Sequence, residues 1–305
     1  MSKTDDLSQS DSTRSVFLRG MLMGVAELVP GVSGGTIAFI SGIYYRLIGA
    51  LAAFGPASLT LLSQPTRFWH HHQLSFLMVL AAGMGVGILV FARVIGFMLE
   101  VAAPVLWAFF FGVIAASVYQ IGVERRLRNL AVFGGAGVVL GFVFLSLPPQ
   151  DFSGSLVALF FAGMVAVCAW ILPGISGSFV LLLLGLYTDV IAAVNSIDLL
   201  FLAVLACGCA SGLLLFTRAL GWLLNRYHDA LLALLTGFMA TALVKLWPWQ
   251  ALDGDQEPNS NGFLSYLYWP HDYAQSGADA FLLLAVLAGC MGGLSVWLLS
   301  KFAQR

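Results

Sequence analysis

The sequence predicts an all-α polytopic membrane protein built on an inverted structural repeat. The chain of 305 residues is 60% hydrophobic and 10% charged, and its mean hydropathy of +0.92 excludes the soluble globular classes. Several apolar runs approach the roughly 20 residues that span a bilayer as a helix. Residues 20–50 and 163–193 are copies of one another, and a proline-glycine turn interrupts each copy.

The apolar runs define the expected elements. Six runs are long enough to cross a membrane, and they occupy residues 74–99, 104–121, 130–147, 199–224, 230–247 and 280–300. The shorter runs 16–29 and 36–53 fit the arms of a re-entrant or broken hairpin better than full spans. Each half is therefore expected to contain one such hairpin plus three transmembrane helices.

The duplication extends beyond the hairpins. Pro30 matches Pro173 at an offset of 143 residues, and Arg93 matches Arg218 at an offset of 125. The difference of 18 residues falls in the polar segment 56–73. We therefore expect a polar cytoplasmic tail over residues 1–13 and one transmembrane domain made of two halves, residues 14–147 and 155–303.

Positive charges predict the orientation of these halves. The loop with Arg125, Arg126 and Arg128 is the most basic and should be cytoplasmic. Counting spans from it places both termini, the segment 56–73 and the loop with Arg226 and His228 inside. The segments 146–155 and 253–262, which lack Lys and Arg, are placed outside. Each half then has an odd number of crossings, so the two copies have opposite orientations. This is the architecture of many secondary transporters, with a site between the halves.

The two interrupted turns are the first candidate site. Proline and closely spaced glycines end one helix and start another, which leaves backbone N–H groups and nearby hydroxyls able to hold an anion such as phosphate. The candidate phosphate-binding residues are Ser33, Gly34, Gly35 and Thr36 in the first turn, and Ser176, Gly177 and Ser178 in the second. The alternative is a helix kink in which serine re-satisfies the backbone.

Three charged residues within the apolar segments are further candidates. Arg93 and Arg218 each lie six residues before the end of their run, roughly 9 Å inside by helical rise. Such an arginine pairs, faces a cavity or snorkels to the interface. Glu27 precedes the first turn, and its match in the second copy is Trp170. We expect Glu27 to pair with Arg93 or Arg218, or to carry a coupling proton.

Metal and disulfide chemistry are not expected. The four cysteines lie inside apolar segments, and their spacing does not match a zinc or redox motif. The histidines at residues 70–72 are interpreted as a weakly basic interfacial patch. No catalytic residue is assigned, and nucleic acid is not an expected partner.

The segments MGVAELVPGVSGGTIAFISGIY and LPGISGSFVLLLLGLY resemble the PopT-type family of bacterial membrane proteins, associated with undecaprenyl-phosphate translocation. The resemblance covers essentially the whole chain. It implies a flippase, not an enzyme, that returns undecaprenyl phosphate from the outer to the inner leaflet of the cytoplasmic (inner) membrane for peptidoglycan synthesis. The implied partners are this or a similar anionic lipid and membrane lipids, and a homo-oligomer is left open. A coupling proton or sodium ion is the only cofactor considered.

Two alternatives share this architecture. Undecaprenyl-diphosphate phosphatases have a similar turn, which Pro173, Gly174 and Ser176 fit, but in that family an arginine follows the serine. Gly177 and Gly34 stand at that place here, so a basic group that would stabilise the leaving phosphate is missing. The hairpins also lack a histidine for acid-base catalysis. A carrier of small anions or organic acids is the third interpretation.

Overall fold

The computed structural model describes residues 12–29, 32–55, 58–61, 63–123, 125–148, 150, 152, 154–250, 267–275 and 279–303. The regular structure of these residues is helical, apart from an isolated antiparallel bridge between Gln250 and Leu267. The all-α prediction is therefore confirmed for the described part of the chain. The predicted tail up to residue 11, the outer segment 253–262 and the turn residues Pro30 and Gly31 lie outside it.

The first half begins with a helix, a bent pair of short helices and a long helical stretch. Its elements are α1 (Thr13–Glu27), α2 (Gly34–Ile40), α3 (Tyr44–Ala52), α4 (Ser58–Leu61), α5 (Pro65–His71), α6 (Leu74–Val123), α7 (Leu127–Asn129), a π-helical turn (Leu130–Gly134) and α8 (Gly135–Leu145).

Helix α6 consists of two segments. Ala102 leaves helical geometry with φ −147° and ψ 47°, in the turn where Pro104 has no N–H for the carbonyl of Glu100 and its ring crowds that carbonyl. This break falls between the predicted spans 74–99 and 104–121. We call the parts before and after Ala102 the first and second segments of α6.

The second half has a similar order of elements, without counterparts of α4 and α5 and with two separate helices in place of α6. Its elements are α9 (Leu156–Ile171), α10 (Gly177–Leu183), α11 (Tyr187–Ser196), α12 (Leu199–Arg226), α13 (His228–Lys245), α14 (Pro270–Gln275) and α15 (Leu282–Ala303). The predicted arm 16–29 corresponds to the single helix α1, whereas the predicted arm 36–53 is a bent pair, with 119° between α2 and α3. Helices α10 and α11 form the matching bent pair, at 108°. In the described chain, four helices are long and apolar enough to cross a membrane, or six if each bent pair counts as one span.

Within the polar segment 56–73, the described residues form the short helices α4 and α5 and a cap around His72. His72 is fully buried, with the rings of Phe54 and Phe68 at 4.3 and 4.2 Å. Its Nε2 lies 2.7 Å from the Ser58 hydroxyl. The expected interfacial patch at residues 70–72 therefore does not include His72.

Glycines allow the helices to approach closely. Helix α1 packs on the first segment of α6, where a Cβ on Gly20 or Gly83 would collide with a backbone oxygen of the facing helix. The matched pair α9 and α12 has the same contact at Gly163 and Gly208. Small residues are the usual means of packing helices in lipid, because the backbones gain van der Waals contact.

The last helix of each half packs against the other half. Helix α15 lies on the second segment of α6, and helix α8 lies on α13. A Cβ on Gly112 would collide with the carbonyl oxygen of Gly289, and one on the matched Gly237 with that of Gly134. The two halves are thus interlocked through equivalent glycine contacts.

The core lies where the first hairpin meets the second half. Tyr44, Leu47 and Ile48 of α3 share one buried cluster with Leu220 of α12 and Leu231 of α13. The outer helix faces expose large apolar side chains, such as Leu89, which is 80% exposed. Such faces suit the hydrocarbon of a bilayer, and the fold is that of a multi-pass membrane protein.

Candidate functional site

The first turn is closed by its own carboxylate. Oε1 of Glu27 accepts a hydrogen bond from the backbone N–H of Gly34 at 2.6 Å. The Ser33 hydroxyl caps α2 by accepting from the N–H of Gly35 at 3.1 Å. A Cβ at Gly34 would lie 2.7 Å from Oε1, so glycine leaves room for this contact. A carboxylate therefore occupies the place where the sequence predicts an anion.

The two turns contact each other directly. The Ser33 hydroxyl donates to the carbonyl oxygen of Trp170 at 2.9 Å, and the N–H of Gly174 donates to the Thr36 hydroxyl at 2.9 Å. A Cβ on Gly35 would lie 2.5 Å from the carbonyl oxygen of Ile171. Glu27, Ser33, Gly34, Gly35 and Thr36 thus come together at the joint between the two copies.

Trp170 completes this joint. Its side chain hydrogen-bonds the Glu27 carboxylate, although the two residues occupy matched positions in the repeat. The expected ion pair between Glu27 and Arg93 or Arg218 is not formed in the described structure, since the partners of Glu27 are Gly34 and Trp170. The acid is held by the opposite copy without a cation.

The second turn lacks such an acid. Ser176 begins α10 without a side-chain capping bond, and its hydroxyl lies 2.7 Å from that of Ser178. Gly177 packs against the backbone of Ala166, where a Cβ would lie 2.6 Å from the carbonyl oxygen. Gly174 has φ +94°, which favours glycine. The predicted residues of the second turn therefore have fewer hydrogen bonds within the protein than those of the first turn.

A cavity of about 10 Å³, which has room for about one water molecule, lies beside the second turn. The turn contributes Gly174, Ser176 and Phe179, and helix α13 contributes Thr241 and Lys245. Nζ of Lys245 lies 2.7 Å from the centroid of the Phe179 ring, a cation–π contact. Helix α8 forms the opposite wall with Gly141, Phe144 and Leu145. The pocket combines one cation with two hydroxyl groups.

An apolar groove adjoins this pocket. It runs between α8, α12 and α13, and its described lining is entirely apolar, including Leu140, Leu220, Leu223 and Leu235. Phe238 lines both the groove and the pocket. The cavity and the groove therefore lie on either side of one shared side chain.

Comparison with known proteins identifies the family. The family model "VCA0040-like: Undecaprenyl phosphate translocase-like" matches residues 23–262. The chain belongs to this undecaprenyl phosphate translocase-like family. The chain is 38% identical over 240 residues to a protein of Vibrio cholerae serotype O1 named "Polyprenyl-phosphate transporter", covering 77% of this chain and 78% of that one.

A second relative agrees with this assignment. A Staphylococcus aureus protein, also named "Polyprenyl-phosphate transporter", is 28% identical over 262 residues, which cover 76% of this chain and 85% of its own. No solved structure is significantly similar. The undecaprenyl phosphate translocase-like family and these relatives are named as transporters and not as enzymes, which argues against the phosphatase interpretation and confirms the resemblance drawn from the two turns.

The structure does not bring the two predicted arginines to the turns of this translocase-like protein. Arg93 is exposed on the outer face of α6. Arg218 is exposed on α12, and its guanidinium donates to the carbonyl oxygen of Phe54 at 2.9 Å. Arg218 therefore holds the end of the first hairpin.

Lys245 is the residue that sequence reasoning missed. Its match in the first copy is Gln120, so comparison of the two copies gave no basic pair. It also lies two residues from the end of the predicted span 230–247, where lysines commonly snorkel to the interface. A signal was present, since α13 carries no other lysine or arginine.

Within the described residues, no group of three or more His, Cys, Asp or Glu side chains could hold a metal ion. Cys168, Cys207, Cys209 and Cys290 are free thiols. Beside the second turn, the structure places the hydroxyl groups of Ser176 and Thr241 together with the Lys245 side chain.

Proposed function

We propose that this protein moves undecaprenyl phosphate from the outer to the inner leaflet of the bacterial cytoplasmic membrane, for reuse in cell-envelope synthesis. Its family and the names of its two relatives support a polyprenyl phosphate as substrate. The observation that carries the mechanism is the direct joint between two broken hairpins, formed by the Ser33–Trp170 and Thr36–Gly174 hydrogen bonds. Irregular backbone at membrane depth is tolerated where it is buried in protein or lines a pathway.

The proposal includes an inverted repeat with both termini in the cytoplasm. Contacts between loops support it, since Arg125 and Asp229 form an ion pair at 3.3 Å, and the rings of Tyr45 and His228 stack at 5.4 Å. These residues belong to or adjoin segments predicted to be cytoplasmic. The N–H of Gln150, in a predicted outer segment, donates to the carbonyl oxygen of Leu183 in the second hairpin at 2.7 Å.

Transport requires the joint to open and close. Rocking of the halves would exchange the bonds of Ser33 and Thr36 for bonds to the phosphate, while Ser176, Ser178 and the amide of Gly177 provide donors on the other side. The polyprenyl chain stays in lipid throughout. Arg93 and Arg218 lie on the surfaces of matched helices and attract the anionic headgroup at opposite leaflets.

Glu27 is the proposed coupling group. Its carboxylate lies at the joint and is held by uncharged donors, so a proton bound there would weaken the bonds from Gly34 and Trp170. Protonation and opening of the joint are thereby linked. A sodium ion at the same carboxylate is the other candidate for coupling.

A liposome assay tests this function. Purified protein is reconstituted with a fluorescent short-chain polyprenyl phosphate, and loss of the label from the outer leaflet is measured by quenching. We expect translocation by the wild type and reduced rates for Glu27→Gln and Arg93→Ala. If liposomes with the wild-type protein translocate no more lipid than empty liposomes, the proposed function is overturned. If both variants translocate at the wild-type rate, the mechanism assigned to Glu27 and Arg93 is overturned. If the purified protein releases inorganic phosphate from the matching polyprenyl diphosphate, the phosphatase interpretation is favoured instead.

A further inference from the structure

A basic cleft lies on the cap of the first half. It is lined by Leu61, at the end of α4, and by Thr66, Arg67, His70 and His71 of α5. Its volume is about 350 Å³, far above the roughly 10–15 Å³ that admits one water molecule. The cleft therefore has room for a ligand, and we call it the α5 cleft.

The inner face of α5 fixes the direction of the side chains that line the cleft. The rings of Phe68 and His72, four residues apart, lie 4.2 Å from each other, and the Ser58 hydroxyl lies 2.7 Å from Nε2 of His72. Residues 66, 67, 70 and 71 are spaced i, i+1, i+4 and i+5, so they share another face of the helix. All four are exposed. The contacts that bury His72 thus present these four side chains to the outside.

The chemistry of the cleft fits an anion. Arg67 supplies a permanent positive charge, and His70 and His71 supply imidazole N–H groups. The side chains of Arg67 and His70 have no hydrogen-bond or ion-pair partner among the described residues. The described lining contains no Asp or Glu, and the sequence has neither between Glu27 and Glu100. A bound anion would therefore meet donors and no competing carboxylate.

The cleft lies at the level of a membrane interface. The apolar helix α6 begins at Leu74, three residues after His71. Trp69 of α5 is 41% exposed, and its indole N–H donates to the Ser75 hydroxyl at 2.7 Å. An exposed indole ring whose N–H is satisfied suits the headgroup region of a bilayer. Because segment 56–73 is predicted to be cytoplasmic, the cleft faces the headgroups of the inner leaflet.

The matched connection in the second copy has a different character. Helix α11 ends at Ser196 and α12 begins at Leu199, so only residues 197–198 connect them. The Asp198 carboxylate there accepts from the N–H of Phe201 at 3.1 Å. In an inverted repeat this connection lies on the outer side. The basic surface is thus confined to the cytoplasmic side, where anionic lipids give the leaflet a negative surface potential.

We propose that the α5 cleft binds the phosphate group of an anionic phospholipid of the inner leaflet. Arg67 is the charged ligand, since its guanidinium can donate two parallel hydrogen bonds to a phosphate. Thr66, His70 and His71 add uncharged donors around it. The choice of leaflet rests on the topology included in the proposed function, whereas the binding of the lipid does not depend on transport.

Native mass spectrometry of the purified, delipidated protein tests the cleft. The probes are dioleoylphosphatidylglycerol, dioleoylphosphatidylcholine, which has the same chains but no net charge, and inorganic phosphate. We expect Arg67→Gln to weaken phosphatidylglycerol binding about fivefold, the usual effect of one cation beside an anionic membrane surface, without changing phosphatidylcholine binding. Arg67→Lys should retain most of the affinity. Arg128→Gln is the matched control, because Arg128 is an exposed cation of another loop predicted to be cytoplasmic.

A second variant fills the cleft without changing its charge. Thr66 lines the cleft, so Thr66→Trp should also reduce phosphatidylglycerol binding. Ala81→Trp places the same side chain on an exposed position of α6 and should bind the lipid like the wild type. Thermal unfolding in detergent verifies that each variant is folded.

Two binding results would overturn the inference. One is equal phosphatidylglycerol binding by the wild type, Arg67→Gln and Thr66→Trp. The other is inorganic phosphate binding that is lost in Arg67→Gln while phosphatidylglycerol binding is unchanged, which would assign the cleft to a free anion. The leaflet is tested with Ser63→Cys, an exposed position before α5, in a variant lacking the four native cysteines. Its reaction with a membrane-impermeant maleimide in intact cells would overturn the inner-leaflet assignment.

The liposome assay separates this inference from the proposed function. Translocation by the wild type without lipid binding that depends on Arg67 overturns the inference alone. Lipid binding that depends on Arg67 without translocation by the wild type overturns the proposed function alone.

Discussion

Glu27 and Trp170 occupy the same position in the two copies of the repeat, and the Trp170 side chain hydrogen-bonds the Glu27 carboxylate. The same carboxylate accepts from the N–H of Gly34. One acid therefore ties its own turn to the opposite copy. Because the contact joins the halves, a change at Glu27 should affect both the stability of the joint and its opening.

Replacement of Glu27 separates these two effects. In Glu27→Gln the amide oxygen still accepts from Gly34, so the fold should be kept while proton exchange is lost. Glu27→Ala removes the acceptor and should lower the free energy of unfolding by about 1 to 2 kcal/mol. Thermal unfolding in detergent and translocation in liposomes measure the two quantities. Equal loss of stability in both variants would contradict the separation.

Thr36→Val should destabilise the joint more than its change in volume suggests. It removes the acceptor for the partly buried N–H of Gly174, and an amide left unpaired away from water costs about 1 to 3 kcal/mol. Thr217→Val is the control, because the buried Thr217 hydroxyl donates to Leu213 of its own helix and leaves no N–H unpaired. Denaturant unfolding in detergent should show the larger loss for Thr36→Val, and similar losses would argue against the cross-turn bond.

Because the two halves contact each other through glycines, alanine should destabilise the protein at Gly112 although alanine usually stabilises a helix. In Gly112→Ala the new methyl group meets the backbone of Gly289, and overpacking costs about 1 to 3 kcal/mol. A Cβ on Gly96 of the same helix meets nothing within 4 Å, so Gly96→Ala should be neutral or stabilising, since alanine favours helix. Melting temperatures of the two variants in detergent measure the difference. A melting temperature of Gly112→Ala at or above that of Gly96→Ala would exclude the close contact.

Labelling of introduced cysteines tests the inverted topology. Gln150→Cys and His228→Cys replace exposed residues in a variant lacking the four native cysteines. A membrane-impermeant maleimide should react with Gln150→Cys in intact cells and with His228→Cys only after permeabilisation, which mass shifts on a gel report. Labelling of both positions from the same side would rule out the proposed orientation.

The sequence predicted the helices well because lipid imposes simple rules. The predicted span 230–247 corresponds to α13, His228–Lys245, since a bilayer requires a minimum apolar length. The hairpins could be predicted because the proline and glycines of the turns interrupt apolar runs. The ordered cap around His72 was missed, because polar composition does not reveal that a histidine stacks between Phe54 and Phe68.

The candidate site was harder to predict. Comparison of the copies identified Ser33 and Thr36, but it could not show that their hydrogen bonds join the turns to each other. It favoured Arg93 and Arg218 because they match, and it overlooked Lys245 because its match is Gln120. Functional asymmetry within a duplicated protein is invisible to a search for matched residues.

The last helix of each half packs against the other half, and this affects how the protein folds during synthesis. When ribosomes have synthesised the chain only to α8, that helix has no α13 to contact, and the second segment of α6 awaits α15. Neither half is then an independent folding unit, so the glycine faces of the early helices must remain in lipid until synthesis is almost complete. Fragments split between α8 and α9 should be stable only when both are produced in the same cell.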